Sequence, residues 1–233
     1  MSVIGILLCG GNSQRMGFNK LTTPLGGSTA LARSAALLSH SGCDRLVIAV
    51  TADTRPAAAA LNTPVPVTLC DGGSTRGQSV LNALRAAHGR PGDIAVIHDA
   101  ARCFQTADAV RAAIAGARET GSGVASLPMT DSVFDTSIQT PLDRSKLVRT
   151  QTPQAFRFEE ILSAYEQAGD QAATDDAALY ARFIGPLTFT PGSTTGYKLT
   201  TPMLITNTDD YASIKPLHTG ETKAGQDFLA VNG

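Results

Sequence analysis

Residues 3–20 read VIGILLCGGNSQRMGFNK: an apolar run, then a turn carrying Gly10, Gly11 and Gly17 together with Arg15 and Lys20. The run shows no alternation of apolar and polar positions, the pattern of a strand covered on both sheet faces. The turn after it is odd, because a turn uses the glycines but has no need of the cations. Similar runs recur as RLVIAV (45–50), VPVTLC (65–70), DIAVIHD (93–99) and GVASLP (123–128). Between the runs lie TALARSAALLSHSG, TRPAAAALN, TRGQSVLNALRAAHG and TADAVRAAIAGARETG, each opening on Thr and most closing on Gly. Those are helix start and stop signals. Strand–helix–strand repetition with right-handed crossovers predicts an α/β fold around a doubly wound, mainly parallel sheet.

The rhythm breaks near residue 130. DSVFDTSIQTPLDRSKLVRTQTP (131–153) has β-branched residues and no helical period, and reads as a protruding β-arm. Helical signal resumes in RFEEILSAYEQAG and TDDAALYARF, and a strand-like PLTFTP leads into GYKLTTP. The expected organisation is one domain over residues 1–215, with 130–150 as the arm and 216–233 as a polar tail.

Hydrophobic residues make up 42% and charged residues 17% of 233, the balance of a folded globule rather than a disordered chain. A formal charge of −1 gives no overall pull towards nucleic acid or an anionic membrane, so any anion site has to be local. Cys9, Cys43, Cys70 and Cys103 are scattered and form no C-x-x-C pair, which argues against zinc ligation and a disulfide framework. VIGILL is too short to span a bilayer and is not preceded by a charged secretory n-region. A reducing, cytoplasmic setting is expected.

In open α/β sheets, ligands gather at the carboxyl ends of the strands. Three clusters fall there: GGNSQRMG after the first strand, DGGSTRGQS after the third and HDAAR after the fourth. The first loop fits neither common phosphate fingerprint, since Gly11 and Gly17 are separated by five residues with Phe18 following. It is either a Gly-rich surface turn with solvated cations or backbone able to close on an anion, with Arg15 and Lys20 complementing it. Arg76 opens a helix, where a cation opposes the helix dipole; it either faces an anionic ligand or points into solvent. Asp99 is a candidate Mg²⁺ ligand, the alternative being a helix cap. His98 reads as packing, and Cys9 as core.

Taken in order, the opening loop, DGG-x-x-R-x-x-S, HDAAR, Asp143-Arg144-x-x-Leu147, Gln151-Thr-Pro-Gln154, Thr174-Asp-Asp-Ala177 and Lys198-Leu-Thr-Thr-Pro202 resemble the 2-C-methyl-D-erythritol 4-phosphate cytidylyltransferases. The resemblance covers residues 2–202 and implies a Rossmann-like nucleotidyltransferase sheet. It also implies transfer from CTP to a sugar-alcohol phosphate with release of pyrophosphate, in non-mevalonate isoprenoid biosynthesis. Arg15, Lys20 and Lys198 would be catalytic. Cys9, Gly10, Gly11, Gly73, Ser74, Arg76 and Ser79 would bind the nucleotide. Arg102, Ser132, Arg144, Thr152 and Thr174 would bind the acceptor, and Asp99 would hold Mg²⁺ or another divalent cation. The arm would pair two subunits as a homodimer.

The residue types suit that chemistry. A phosphate monoester is already mostly dianionic near neutral pH, its second pKa being about 6, so no protein base is needed. The protein must align two repelling anions and stabilise charge on the bridging oxygens. Three departures from the family matter: Cys103 for the usual Pro, Thr195-Gly196 for Asp-Asn, and Met203-Leu204 for Glu-Asp. Competing readings are a ribitol 5-phosphate cytidylyltransferase, a molybdenum-cofactor guanylyltransferase sharing the opening loop, and a catalytically silent nucleotide-binding paralogue.

Overall fold

The computed structural model describes residues 1–10, 19–169 and 175–200. Gly11, Arg15, Thr174, Met203-Leu204 and the 216–233 tail lie outside the described residues. Along the chain run β1 (Val3–Leu8), β2 (Pro24–Leu25), β3 (Ser28–Thr29), α1 (Ala30–His40), β4 (Arg45–Val50), α2 (Arg55–Ala59) and β5 (Val67–Asp71). Next come α3 (Arg76–Ala87), β6 (Ile94–Asp99), α4 (Ala107–Thr120), β7 (Ser122–Pro128), β8 (Val133–Asp135) and β9 (Thr140–Leu142). The last elements are β10 (Val148–Arg157), α5 (Phe158–Ala168), α6 (Asp176–Phe183) and β11 (Phe189–Pro191).

Seven of these strands form one sheet in the order β11-β7-β10-β6-β1-β4-β5. β1 pairs in parallel with β4 and β6, β4 with β5, and β11 with β7, whereas β10 is antiparallel to both β6 and β7. Helices pack on both faces, which is why VIGILL is buried at every position. Val3, Leu7 and Cys9 pack with residues of α1 and α4, and Ile4, Ile6 and Leu8 with residues of α3, α5 and α6. Fully burying such a side chain contributes roughly 1.5–3 kcal/mol.

Three of the four Thr residues that open these helical stretches cap them, whereas Thr54 makes no side-chain cap bond to α2. Thr29, Thr75 and Thr106 accept the N–H of Ala32, Gln78 and Ala109 at 3.1–3.3 Å, each cap contributing about 1 kcal/mol. Gly121 ends α4 with φ 97°, but α3 ends on His88 at φ 46° rather than on the glycine beside it. The arm is the β8–β9 hairpin plus a 3-10 turn at Arg144–Lys146. The end of the stretch read as arm belongs elsewhere: from Val148 onward it is β10, in the middle of the sheet.

Candidate active site

β1 and β6 lie side by side with Leu8 opposite Asp99, yet the chain leaves them towards opposite edges of the sheet. That is the switch point where an α/β sheet opens a crevice. At the end of β1 the Cys9 N–H donates to the Ala49 carbonyl at 2.9 Å, and burial raises the Cys9 thiol pKa strongly. Cys9 is thus a core thiol that delivers the exposed Gly10 to the crevice.

Asp99 is held at backbone and side chain. Its N–H donates to Thr152 Oγ1 at 3.1 Å, its Oδ1 accepts Arg76 Nε at 3.1 Å, and its Oδ2 accepts Lys198 Nζ at 2.7 Å. Burial disfavours its ionised form, but Arg76 and Lys198 outweigh that and hold the carboxyl well below the usual carboxylate range. Arg76 therefore neither waits alone for an anion nor points into solvent. Its side chain is 22% exposed, and it also forms a two-pronged pair with Asp176. His98 is fully buried beside it, with Nδ1 3.1 Å from Thr152 Oγ1, and burial pushes its pKa down to about 4. It is a neutral packing residue.

The third-strand cluster closes on itself. The Gly72 N–H donates to the Val50 carbonyl, the Gly73 N–H to Ser79 Oγ at 2.9 Å, and Ser79 Oγ to the Thr75 carbonyl at 2.9 Å. A Cβ on Gly73 would sit 2.1 Å from Gln78 Cγ and 2.9 Å from the Gln78 backbone carbon, so the turn requires glycine. With their donors turned inward, Gly73 and Ser79 shape the turn, and Ser74 stands exposed at its tip. A Cβ on Gly10 would lie 3.6 Å from Ser79 Oγ, so the first and third clusters meet. The Arg76–Asp99 pair joins the third cluster to the fourth.

On the other side, Arg102 Nη1 donates to the Gly196 carbonyl at 2.8 Å while its Nε is buried without a partner. Lys20 Nζ donates to the Leu199 carbonyl at 2.7 Å. Thr152, expected in the acceptor pocket, is buried and serves Asp99 and His98. Ser132 and Arg144 are exposed on the arm, where Arg144 donates to the Thr130 carbonyl; no hydrogen bond among the described residues ties either to Asp99. Sequence reasoning gave no role to Asp176, Tyr165 or Gln105. The signal for Asp176 was in plain view as the second acid of Thr-Asp-Asp. Asp175 caps α6 by accepting the Ala177 N–H at 2.8 Å, while Asp176 turns inward.

One ionised carboxylate paired with Arg76 and Lys198, with Arg102 near enough for its charge to interact with Asp99, suits the alignment of anions. Among the described residues no group of three or more His, Cys, Asp or Glu is placed to hold a metal ion by itself. No helix among them is long and apolar enough to cross a membrane.

A family model described as 2-C-methyl-D-erythritol 4-phosphate cytidylyltransferase matches residues 3–212. A bifunctional IspD/IspF enzyme of Anaeromyxobacter sp. is 39% identical over 213 residues, covering 86% of this chain and 54% of that protein. This chain thus spans about half the length of that relative. The 2-C-methyl-D-erythritol 4-phosphate cytidylyltransferase of Syntrophotalea carbinolica is 35% identical over 215 residues, covering 87% of this chain and 92% of the relative. The crystal structure of 4-diphosphocytidyl-2C-methyl-D-erythritol synthase from Anaerococcus prevotii superposes with a TM-score of 0.79 at 20% identity, covering 91% and 99% of the two chains. That likeness bears on the fold.

Proposed function

The chain belongs to the 2-C-methyl-D-erythritol 4-phosphate cytidylyltransferase family of nucleotidyltransferases, and on that premise we propose that it transfers the cytidylyl group of CTP to 2-C-methyl-D-erythritol 4-phosphate. The acceptor phosphate attacks the α-phosphorus, the bond to the β-phosphate oxygen breaks, and pyrophosphate leaves as 4-diphosphocytidyl-2-C-methyl-D-erythritol forms. The observation that carries this is the Asp99 carboxylate at the sheet's switch point, gripped by Arg76 and Lys198.

Mg²⁺ fits these residues. It takes one or two carboxylates, completes its shell with phosphate oxygens and water, and would neutralise charge on the triphosphate. Asp99 supplies the one carboxylate, and Lys198, with 40% of its side chain exposed, has room to swing from Oδ2 towards phosphate. Where the family pattern has an aspartate, Thr195 offers a hydroxyl that is bonded to Ser193 Oγ at 2.8 Å. Lys20 and Arg15 would complement the triphosphate, and Arg102 the acceptor.

Two further readings go with this. Phe134 and Ile138 on the arm are 57% and 65% exposed, which supports a homodimer whose arm brings Ser132 and Arg144 to a second subunit's acceptor. Four free thiols, three of them buried, support a reducing cytoplasmic setting. Pyrophosphate release measured with CTP, Mg²⁺ and a panel of alditol phosphates tests the assignment. Turnover with methylerythritol phosphate and its loss with EDTA are expected. Turnover with ribitol 5-phosphate alone would move the protein to that substrate, and a silent paralogue would release nothing.

A further inference from the structure

Asp176 is the most deeply buried acidic side chain among the described residues, with no exposed surface. Its carboxylate accepts Arg76 Nη1 at 2.9 Å and Nη2 at 2.7 Å, and also the Tyr165 hydroxyl. The three residues come from three helices: Arg76 opens α3, Tyr165 lies in α5 and Asp176 opens α6. Two helix dipoles bear on the pair. A carboxylate in the first turn of α6 is favoured, whereas a guanidinium in the first turn of α3 is disfavoured and gains from a compensating anion. A guanidinium is a rigid planar fork, so a two-pronged bond at Nη1 and Nη2 also fixes where Nε–H points. Here it points at Asp99 Oδ1, 3.1 Å away.

We infer that Asp176, backed by Tyr165, is a positioning residue for the transfer reaction, locking Arg76 onto Oδ1 of Asp99 and off the incoming triphosphate. The inference rests on the role proposed above for Asp99. An unanchored arginine beside a triphosphate site would pair with phosphate oxygens, the geometry guanidinium suits best. Asp99 would then lose the donor that orients it. Anchoring Arg76 instead leaves Oδ2 as the oxygen facing Lys198 and the ligands.

The role sets apart kcat and KM. Asp176→Asn should lower kcat about 10- to 100-fold and leave the KM for CTP unchanged or reduced, because the freed guanidinium binds phosphate. A residue that merely braced the fold would lower kcat only by the share of protein left unfolded, and would leave the Arg76 Nε–H signal of the folded molecules as in the wild type. Arg76→Gln should lower kcat, and adding Asp176→Asn to it should cost no more than a further twofold. The Nε–H resonance of Arg76, assigned by its loss in Arg76→Gln, should be sharp in the wild type and exchange-broadened in Asp176→Asn.

Tyr165→Phe keeps every charge, and should broaden the same resonance and lower kcat two- to fivefold if Asp176→Asn does not fold. Unchanged kcat in the folded Asp176→Asn protein, multiplicative losses in the double variant, or an unmoved Nε–H signal would each overturn the inference. Wild-type protein that turns over no acceptor would overturn the proposed function instead, and the Nε–H signal would still decide whether Asp176 anchors Arg76.

Discussion

Lys20 donates its ammonium to the Leu199 carbonyl at 2.7 Å, across 179 positions of the chain. Leu199 is fully buried, and its N–H donates to the carbonyl of Ala101, two residues past Asp99. Fixed at both backbone groups, Leu199 sets the backbone from which the neighbouring Lys198 reaches Asp99 at 2.7 Å. One short segment thereby joins the loop after β1 to the end of β6. The two lysines are coupled through a single leucine.

Lys198→Ala is expected to reduce kcat by about 10²-fold or more, the scale of removing one preorganised charge donor. Its side chain is 40% exposed, so the melting temperature should move by only a few degrees. Lys20→Ala should reduce kcat as well and, by releasing Leu199, weaken the Lys198–Asp99 contact. The Lys20→Ala/Lys198→Ala double variant should then be no worse than about threefold below the poorer single one. Fully multiplicative losses in pyrophosphate release would contradict the coupling.

The cysteines allow a test of the core. Burial pushes Cys43 and Cys103 up to about 12 and Cys9 higher still, while Cys70 is only half-buried. Thiolate is the reactive species, so Cys70 should react with a disulfide reagent well ahead of the other three. One fast equivalent in the native protein and four after denaturation are expected, and Cys70→Ser should abolish the fast one. A second fast equivalent would mean that one of the three core thiols is reachable.

His98 predicts how stability responds to acid. Its folded pKa is pushed down to about 4 by burial, against about 6.5 in an unfolded chain. Between those values the unfolded chain binds a proton that the folded protein refuses, so stability is full above about pH 6.5 and falls as pH drops towards 4. The loss attributable to this residue is about 3 kcal/mol at pH 4. Denaturant titrations from pH 7 to pH 4 should show the wild type losing that much more than His98→Gln. Parallel curves for the two proteins would rule out a buried neutral histidine.

Much of this was legible in the chain because burial on both faces leaves an unmistakable pattern. β1 is apolar throughout, and β4 and β6 are apolar but for Arg45 at the start of one and His98-Asp99 at the end of the other, so that Gly10 and Asp99 stand out by contrast. β10 was not legible as a sheet strand, its start being read as part of the arm, because VRTQTPQAFR carries Gln151, Thr152 and Gln154 in the middle of the sheet. Such residues survive burial by bonding: Gln154 Oε1 accepts the Ala177 N–H, and Gln151 holds both the N–H and the carbonyl of Ser193. Hydropathy cannot see those partners. Asp176 was hidden for a related reason, since its partner Arg76 is 100 positions away and its neighbour Asp175 already explains an acid at a helix start.

The departure at Thr195-Gly196 has a structural counterpart in Gln105, and the pair makes the last prediction. Gln105 is buried, with Nε2 donating to Gln151 Oε1 at 3.0 Å and to the Thr152 carbonyl at 3.1 Å. A Cβ on Gly196 would stand 2.4 Å from that same Nε2, so Gln105 occupies space that glycine leaves open. The Gly196 carbonyl in turn accepts Arg102 at 2.8 Å, so the clash lies next to an expected acceptor-phosphate ligand. Restoring the family residue by Gly196→Asn should therefore raise the acceptor KM at least tenfold, with the KM for CTP changing little. It should also lower stability by about 1–3 kcal/mol, the usual cost of overpacking. Gln105→Ser vacates the space, and the double variant should recover most of both losses. Kinetics with each substrate varied in turn, together with thermal melts of the four proteins, will show whether the two positions act as one; independent, additive effects would separate them.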